Sequence, residues 1–309
     1  MSEPPDAPAG DRTQPPSPSR DNLERAVLYM VFAALLLPGI NACAKHLGGY
    51  SVLQVAWARY AGHFALMIAA FAPAYGLGIL RSSALPVQLM RSGLHCASAL
   101  LMFSALTMVP LTTATAINFC APLVVVALAP LMLGERLGWH RALAVAVGFA
   151  GALIVVRPGS SDHGLATALL LANAVASALI QILSRKLAGR DRAITSNTYM
   201  VVVGFLVLSL PLPFVWQNPA NTLDLFVLAA MGVFGAAGHY FLVSAFERAP
   251  ATFVTPFNYL NIIGAALLGY MIFGHLPDAW TWVGAAIIAG SGIFVLLRER
   301  LDRARPGKS

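Results

Sequence analysis

From Ala26 to Leu297 the chain is a succession of apolar runs, each about twenty residues long and parted by short polar breaks. About 20 mostly apolar residues are what a helix needs to cross the hydrocarbon core of a bilayer. Only 11% of the residues are charged, against roughly 25% in a soluble domain. So little polar surface cannot face water on all sides. The solvent is therefore lipid, and the expected fold class is an all-α polytopic membrane protein.

Ten runs are read as spans: 25–45, 52–74, 89–108, 111–133, 139–156, 165–187, 196–214, 223–246, 251–273 and 279–297. The placement of Lys and Arg tests that count. With a cytoplasmic N-terminus, 17 of the 20 fall in inside segments, Lys45 and Arg157 fall outside, and Arg59 lies within the second span. Positive residues are retained on the cytoplasmic side during insertion. A multi-pass inner (plasma) membrane protein with both termini cytoplasmic is expected, and a miscounted span would have scrambled the alternation. The basic excess of +7 thus belongs to topology, and no nucleic-acid partner is expected. Residues 1–22, rich in Pro, Ser and Arg, cannot bury apolar area and are expected to be a disordered cytoplasmic tail. Residues 299–309 are expected to be a basic cytoplasmic tail. Cys43, Cys96 and Cys120 lie inside apolar runs and imply no disulfide framework.

A repeat sits beneath this pattern. At an offset of 140, Ser104, Pro110, Thr112, Thr115, Asn118 and Gly134 fall on Ser244, Pro250, Thr252, Thr255, Asn258 and Gly274. Leu and Ala coincidences mean little in such a chain, but Pro, Thr, Asn and Gly pairs in one register are harder to obtain by chance. The unit holds five spans, an odd number, so the second copy must insert upside down. The expectation is two inverted five-helix repeats, 23–158 and 159–298, around a central cavity. Repeats of this kind place a solute site at their interface near the membrane midplane and give alternating access by rocking.

The run Ala121-Pro122-Leu123 through Leu133-Gly134-Glu135-Arg136, followed by Gly148-Phe149-Ala150-Gly151, resembles the EamA-type drug/metabolite transporter family. Arg59 in Trp57-Ala58-Arg59-Tyr60 fits as well. The resemblance implies a ten-helix basket and export of amino acids, metabolites or drugs. The second half departs from the pattern, with His275 opposite Glu135 and Ile262 opposite Pro122, so the halves are not equivalent.

Polar groups in hydrocarbon are costly unless they face protein or a water-filled cavity, and are functional candidates by default. Helical spacing places Asn41 and Lys45 on one stripe, and Asn173, Ser177 and Gln181 on another. The expected cavity residues are Asn41, Arg59, His63, His95, Asn118, Gln181, His239, Tyr240, Asn258 and Tyr259. The competing reading for any of them is interhelical hydrogen bonding, and for Arg59 snorkelling to the interface. No Asp or Glu is read inside a span. No metal or cofactor is expected, and no Walker-type loop is present.

No H-E-x-x-H, paired Asp or G-x-S-x-G motif supports an enzyme. The expected function is a secondary transporter, working as a monomer, that exports small metabolites. Hydrophobic or aromatic amino acids are favoured; the alternatives are a cationic drug or another metabolite such as a nucleobase.

Overall fold

The computed structural model describes residues 20–133, 139–156, 164–187, 190–249 and 254–303. Every regular element among them is helical. In chain order these are α1 (Arg20–His46), α2 (Val52–Tyr75), α3 (Leu85–Leu106), α4 (Leu111–Asn118), α5 (Ala121–Leu133) and α6 (Trp139–Val156). Then follow α7 (Gly164–Leu187), α8 (Ala193–Ser209), α9 (Leu212–Val215), α10 (Thr222–Arg248), α11 (Leu260–Phe273) and α12 (Ala279–Arg303). Two 3₁₀ segments, Gly76–Leu80 and Thr255–Tyr259, complete the path. Among the described residues, six helical stretches are long and apolar enough to cross a membrane. Four more, Ala142–Val155, Ile194–Ser209, Phe257–Phe273 and Ala279–Val295, are apolar but shorter.

Several boundaries differ from the expectation. Helix α1 begins at Arg20, so the expected tail ends at least three residues earlier, and α12 runs on to Arg303. Residues 1–19 and 304–309 lie outside the described residues, as do Gly134, Glu135, Arg136, Arg157, Pro250 and Thr252. The expectation that no acid lies inside a span also fails, at Asp224. This residue is buried in the first turn of α10. It is tolerated there because Tyr50 and Asn221 donate to its carboxylate.

The fourth expected span is not one helix. Proline has no N–H and its ring clashes with the carbonyl four residues back; for Pro122 that residue is Asn118. The α4 segment accordingly stops at Asn118, Phe119 and Cys120 form a turn, and α5 starts at Ala121. The ninth expected span lacks this proline, but Pro256 opens the 3₁₀ segment that carries Asn258 and precedes α11. Both runs therefore leave α geometry at the Asn residues paired by the 140-residue offset.

Helix α1 lies along α10, α3 along α7, and α6 along α12, while α2 packs on both α8 and α10. Each pairing joins the first half of the chain to the second. The α2–α10 crossing depends on two glycines. A Cβ on Gly232 would lie 2.6 Å from the Gly62 Cα, and one on Gly62 would lie 2.9 Å from the Gly232 Cα. Small residues let helix backbones approach this closely in membrane bundles. Tyr60, Leu106, Leu111, Ile117, Leu123, Leu170, Met231 and Ile288 belong to one continuous core cluster. The outside is as apolar as the inside: Phe214 is 90% exposed, Leu210 76% and Met271 71%. A water-soluble protein seldom exposes so much large apolar surface, whereas lipid contact requires it.

Candidate functional site

The bundle encloses a cavity of about 410 Å³ bounded by residues from α1, α2, α3, α4, α5, α7, α10, the second 3₁₀ segment and α11. Its polar wall falls into two sets. Arg59, His95 and His239 come from α2, α3 and α10. Asn118, Asn173, Ser177, Gln181, Asn258 and Asn261 come from α4, α7 and the segment around Thr255–Tyr259. Apolar surface between them is supplied by Leu37, Ile40, Met102, Phe103, Phe119, Leu242 and Phe246. Among the described residues, no Asp or Glu lines it.

The cationic set is short of partners. Arg59 is 8% exposed. Among the described residues it makes no hydrogen bond or ion pair, and its Nε atom is buried and unpartnered. Its guanidinium carbon lies 5.1 Å from the Tyr60 ring centroid and 5.8 Å from that of Phe103. His239 stacks on His63 with centroids 5.7 Å apart and meets His95 edge-on at 5.9 Å. Both ring nitrogens of His63, Nδ1 of His95 and Nε2 of His239 are buried without hydrogen-bond partners. Arg91, one turn before His95, differs in that its terminal nitrogens donate to Ser184 Oγ and the Ser196 carbonyl, although its Nε is also buried and unpartnered. Buried polar groups in native proteins are almost always paired, so this cluster of unpartnered nitrogens, buried just behind the lining at Arg59, His95 and His239, marks that wall as a candidate binding surface.

The amide set is better satisfied. Ser98 Oγ donates to Asn173 Oδ1 at 2.6 Å, and Asn173 Nδ2 donates to Asn118 Oδ1 at 2.8 Å. Ser177 Oγ also reaches Asn118 Oδ1, at 3.4 Å. Asn261 Nδ2 donates to Asn258 Oδ1 at 3.1 Å. Phe119 and Tyr259, the residues after the two helix-breaking Asn, face each other with centroids 5.1 Å apart.

Of the ten residues expected from sequence, Asn41, Arg59, His95, Asn118, Gln181, His239 and Asn258 lie in this lining. His63 stands one layer behind, against His239. Tyr240 is 45% exposed and packs on Phe71 and Phe241. Successive helix residues point about 100° apart, so Tyr240 cannot share the direction of His239. Tyr259 instead puts its hydroxyl over Gly292, where a Cβ would meet it at 1.8 Å. Ser98 and Asn261 were missed. Ser98 sits one turn from His95, and Asn261 one 3₁₀ turn from Asn258; that spacing was the available signal.

Polar seams join the halves at both ends of the bundle. At one, Tyr50 donates to Asp224 at 2.6 Å, which pushes its hydroxyl above the ordinary tyrosine range. Gln54 there exchanges two hydrogen bonds with the Gln217 backbone. At the other, Asp191 accepts from Ser82, Ser83 and Gln88. Partial burial pushes the Asp191 carboxyl up, but these hydrogen bonds outweigh it and hold the group well below the usual carboxylate range.

The EamA-like transporter family model matches this sequence over residues 24–157 and 164–298. An S-adenosylmethionine uptake transporter of Rickettsia prowazekii is 28% identical over 86% of this chain and 91% of its own. A riboflavin transporter of Rhizobium johnstonii is 30% identical over 90% of this chain and 93% of its own. A pseudopaline exporter of Pseudomonas aeruginosa is 28% identical over 93% and 99% respectively. One solved crystal structure superposes with a TM-score of 0.63 at 21% identity, covering 90% of this chain and 99% of that one, and so shares the fold. An all-helical, lipid-faced bundle around a polar cavity, matched by that model over nearly all its apolar length, is a multi-pass small-molecule transporter and not an enzyme, and the chain belongs to the EamA-like transporter family.

Proposed function

We propose that this chain is an inner-membrane secondary transporter for small metabolites that carry a carboxylate on an apolar or aromatic body. The observation that carries this reading is Arg59. A guanidinium buried in a bundle without an acidic partner is a costly arrangement, and here it fronts a cavity with no acid in its wall. A solute carboxylate completes it with a bidentate, charge-assisted pair, and His95 and His239 offer further N–H donors. Phe103, Phe119 and Phe246 receive the rest of the solute.

The same reading takes the chain as ten crossings in two inverted halves, 23–158 and 159–298, with both termini cytoplasmic. The charge alternation and the 140-residue register support it. Solute access alternates as the halves rock about the cavity, in a single chain acting as a monomer. The relatives' names give three different solutes and include both uptake and export. They support a cavity for metabolites and leave its compound open.

Export of hydrophobic amino acids is a second reading, favoured by the aromatic wall. It uses the same Arg59 contact, but a cavity of about 410 Å³ falls in the range of drug-sized ligand sites, about 300–1,000 Å³. A lipophilic cation fits poorly, because no carboxylate in the lining offsets its desolvation. Thermal stabilisation of the purified protein in detergent tests this order. The panel is S-adenosylmethionine, L-tryptophan, riboflavin as a neutral arm and tetraphenylphosphonium as a cationic one. Stabilisation by carboxylate-bearing compounds is expected; stabilisation by tetraphenylphosphonium alone would replace this reading with cation efflux.

A further inference from the structure

A carboxylate at Arg59 leaves the amide set of the lining unassigned. A carboxamide has two donor hydrogens and an oxygen with two acceptor sites. The Oδ1 atom of Asn118 is occupied twice, by Asn173 Nδ2 and Ser177 Oγ. Its Nδ2 has no partner among the described residues, and its side chain lines the cavity. Asn258 repeats the arrangement: Oδ1 accepts from Asn261, Nδ2 has no partner among the described residues, and the residue lines the cavity. The two residues are mates at the 140-residue offset. Each sits where its run leaves α geometry, and the rings of the next residues, Phe119 and Tyr259, meet at a tilt with centroids 5.1 Å apart. In this arrangement Asn118 turns its oxygen toward Asn173 and Ser177, and Asn258 turns its oxygen toward Asn261, leaving an NH₂ group over on each.

We infer that Asn118 and Asn258 form a two-donor clamp for a carbonyl-type oxygen, so that the solute carries a second acceptor group apart from the carboxylate at Arg59. The inference rests on the carboxylate reading above and narrows its substrate class to carboxylates bearing an amide, imide or similar carbonyl. Solutes with only a carboxylate and a hydrocarbon body leave two buried donors unpaired, and a site built to hydrogen-bond rejects such analogues.

Two monoanions with the same aromatic body test this, N-acetyl-L-phenylalanine and 3-phenylpropionate, titrated calorimetrically into the purified protein. Two added neutral hydrogen bonds should make the first bind about tenfold more tightly, a difference of about 1.4 kcal/mol. In Asn118→Asp and Asn258→Asp the acceptor oxygens remain for Asn173, Ser177 and Asn261, while the donors are gone. Both ligands bear one negative charge, so the repulsion from the new carboxylate cancels in their ratio, which should fall toward one. Equal binding of the two by the wild-type protein overturns the clamp and leaves the carboxylate reading standing. That ratio decides even if a variant does not fold. An unchanged tenfold ratio in both folded variants also overturns it. Binding of neither compound overturns the carboxylate reading, and this inference with it.

Discussion

Arg59 offers a perturbation whose effects on stability and on function have opposite signs. In the empty site its favourable contacts are the two aromatic rings at 5.1 and 5.8 Å, each worth about 0.5–2 kcal/mol. Against them stands the desolvation of a buried ion, several kcal/mol even after relaxation. Methionine reaches nearly as far, packs against the same rings and carries no charge. Replacing buried charges by apolar residues of similar volume is often stabilising, by about 1–4 kcal/mol. Arg59→Met should therefore raise the unfolding midpoint of the detergent-purified protein, followed through its five tryptophans, and abolish stabilisation by carboxylate compounds. Sites kept at the expense of stability are a recurrent signature of function. A lowered midpoint with carboxylate binding intact would return Arg59 to a structural role.

Other outcomes follow from the packing and the seams. Gly232→Ala drives a Cβ into the backbone of Gly62 and should destabilise by about 1–3 kcal/mol. Gly290→Ala, with nothing within 4 Å of the new Cβ, should stabilise by about 0.5–1 kcal/mol, and denaturation midpoints read the contrast. The carboxyl of Asp191 is depressed in the folded state. Its stabilisation is present above the ordinary carboxylate range and is lost only as pH falls through the lower folded value. Hydrogen exchange over 76–84 should thus stay protected at pH 5 in the wild type and rise in Asp191→Asn. With Cys43, Cys96 and Cys120 replaced, a cysteine at exposed Gly49 should react with an impermeant maleimide on intact cells, and one at exposed Arg190 should not. The reverse pattern would invert the proposed topology.

The helical class and the main polar stripes were legible because period and charge placement are local properties of the chain. Asn118 and His95 could be placed from spacing alone. What could not be read is how two halves meet. The break at Asn118 is written in Pro122, whereas Pro256 stands in a different register, in the first turn of its segment where proline is tolerated, and does not account for the 3₁₀ geometry at Asn258. Comparing the repeats residue by residue finds only Ile262 opposite Pro122 and so predicts a continuous helix. Nor does sequence say that Gly62 and Gly232 touch, and that crossing is what brings His63 against His239. Tyr240 was a different kind of miss, since helical geometry alone sets it apart from His239. Asp224 is intelligible only once Tyr50, 174 positions away, is seen to donate to it.

On the proposed reading, a carboxylate-bearing metabolite crosses the membrane through this cavity against Arg59. Liposomes containing the protein, preloaded with unlabelled S-adenosylmethionine, L-tryptophan or N-acetyl-L-phenylalanine, can be placed in the same compound at trace radiolabel. Wild-type protein should accumulate label transiently by exchange for at least one of the three, and Arg59→Gln should behave like empty liposomes. Equal accumulation by Arg59→Gln, or exchange of tetraphenylphosphonium with none of the three, would contradict the account.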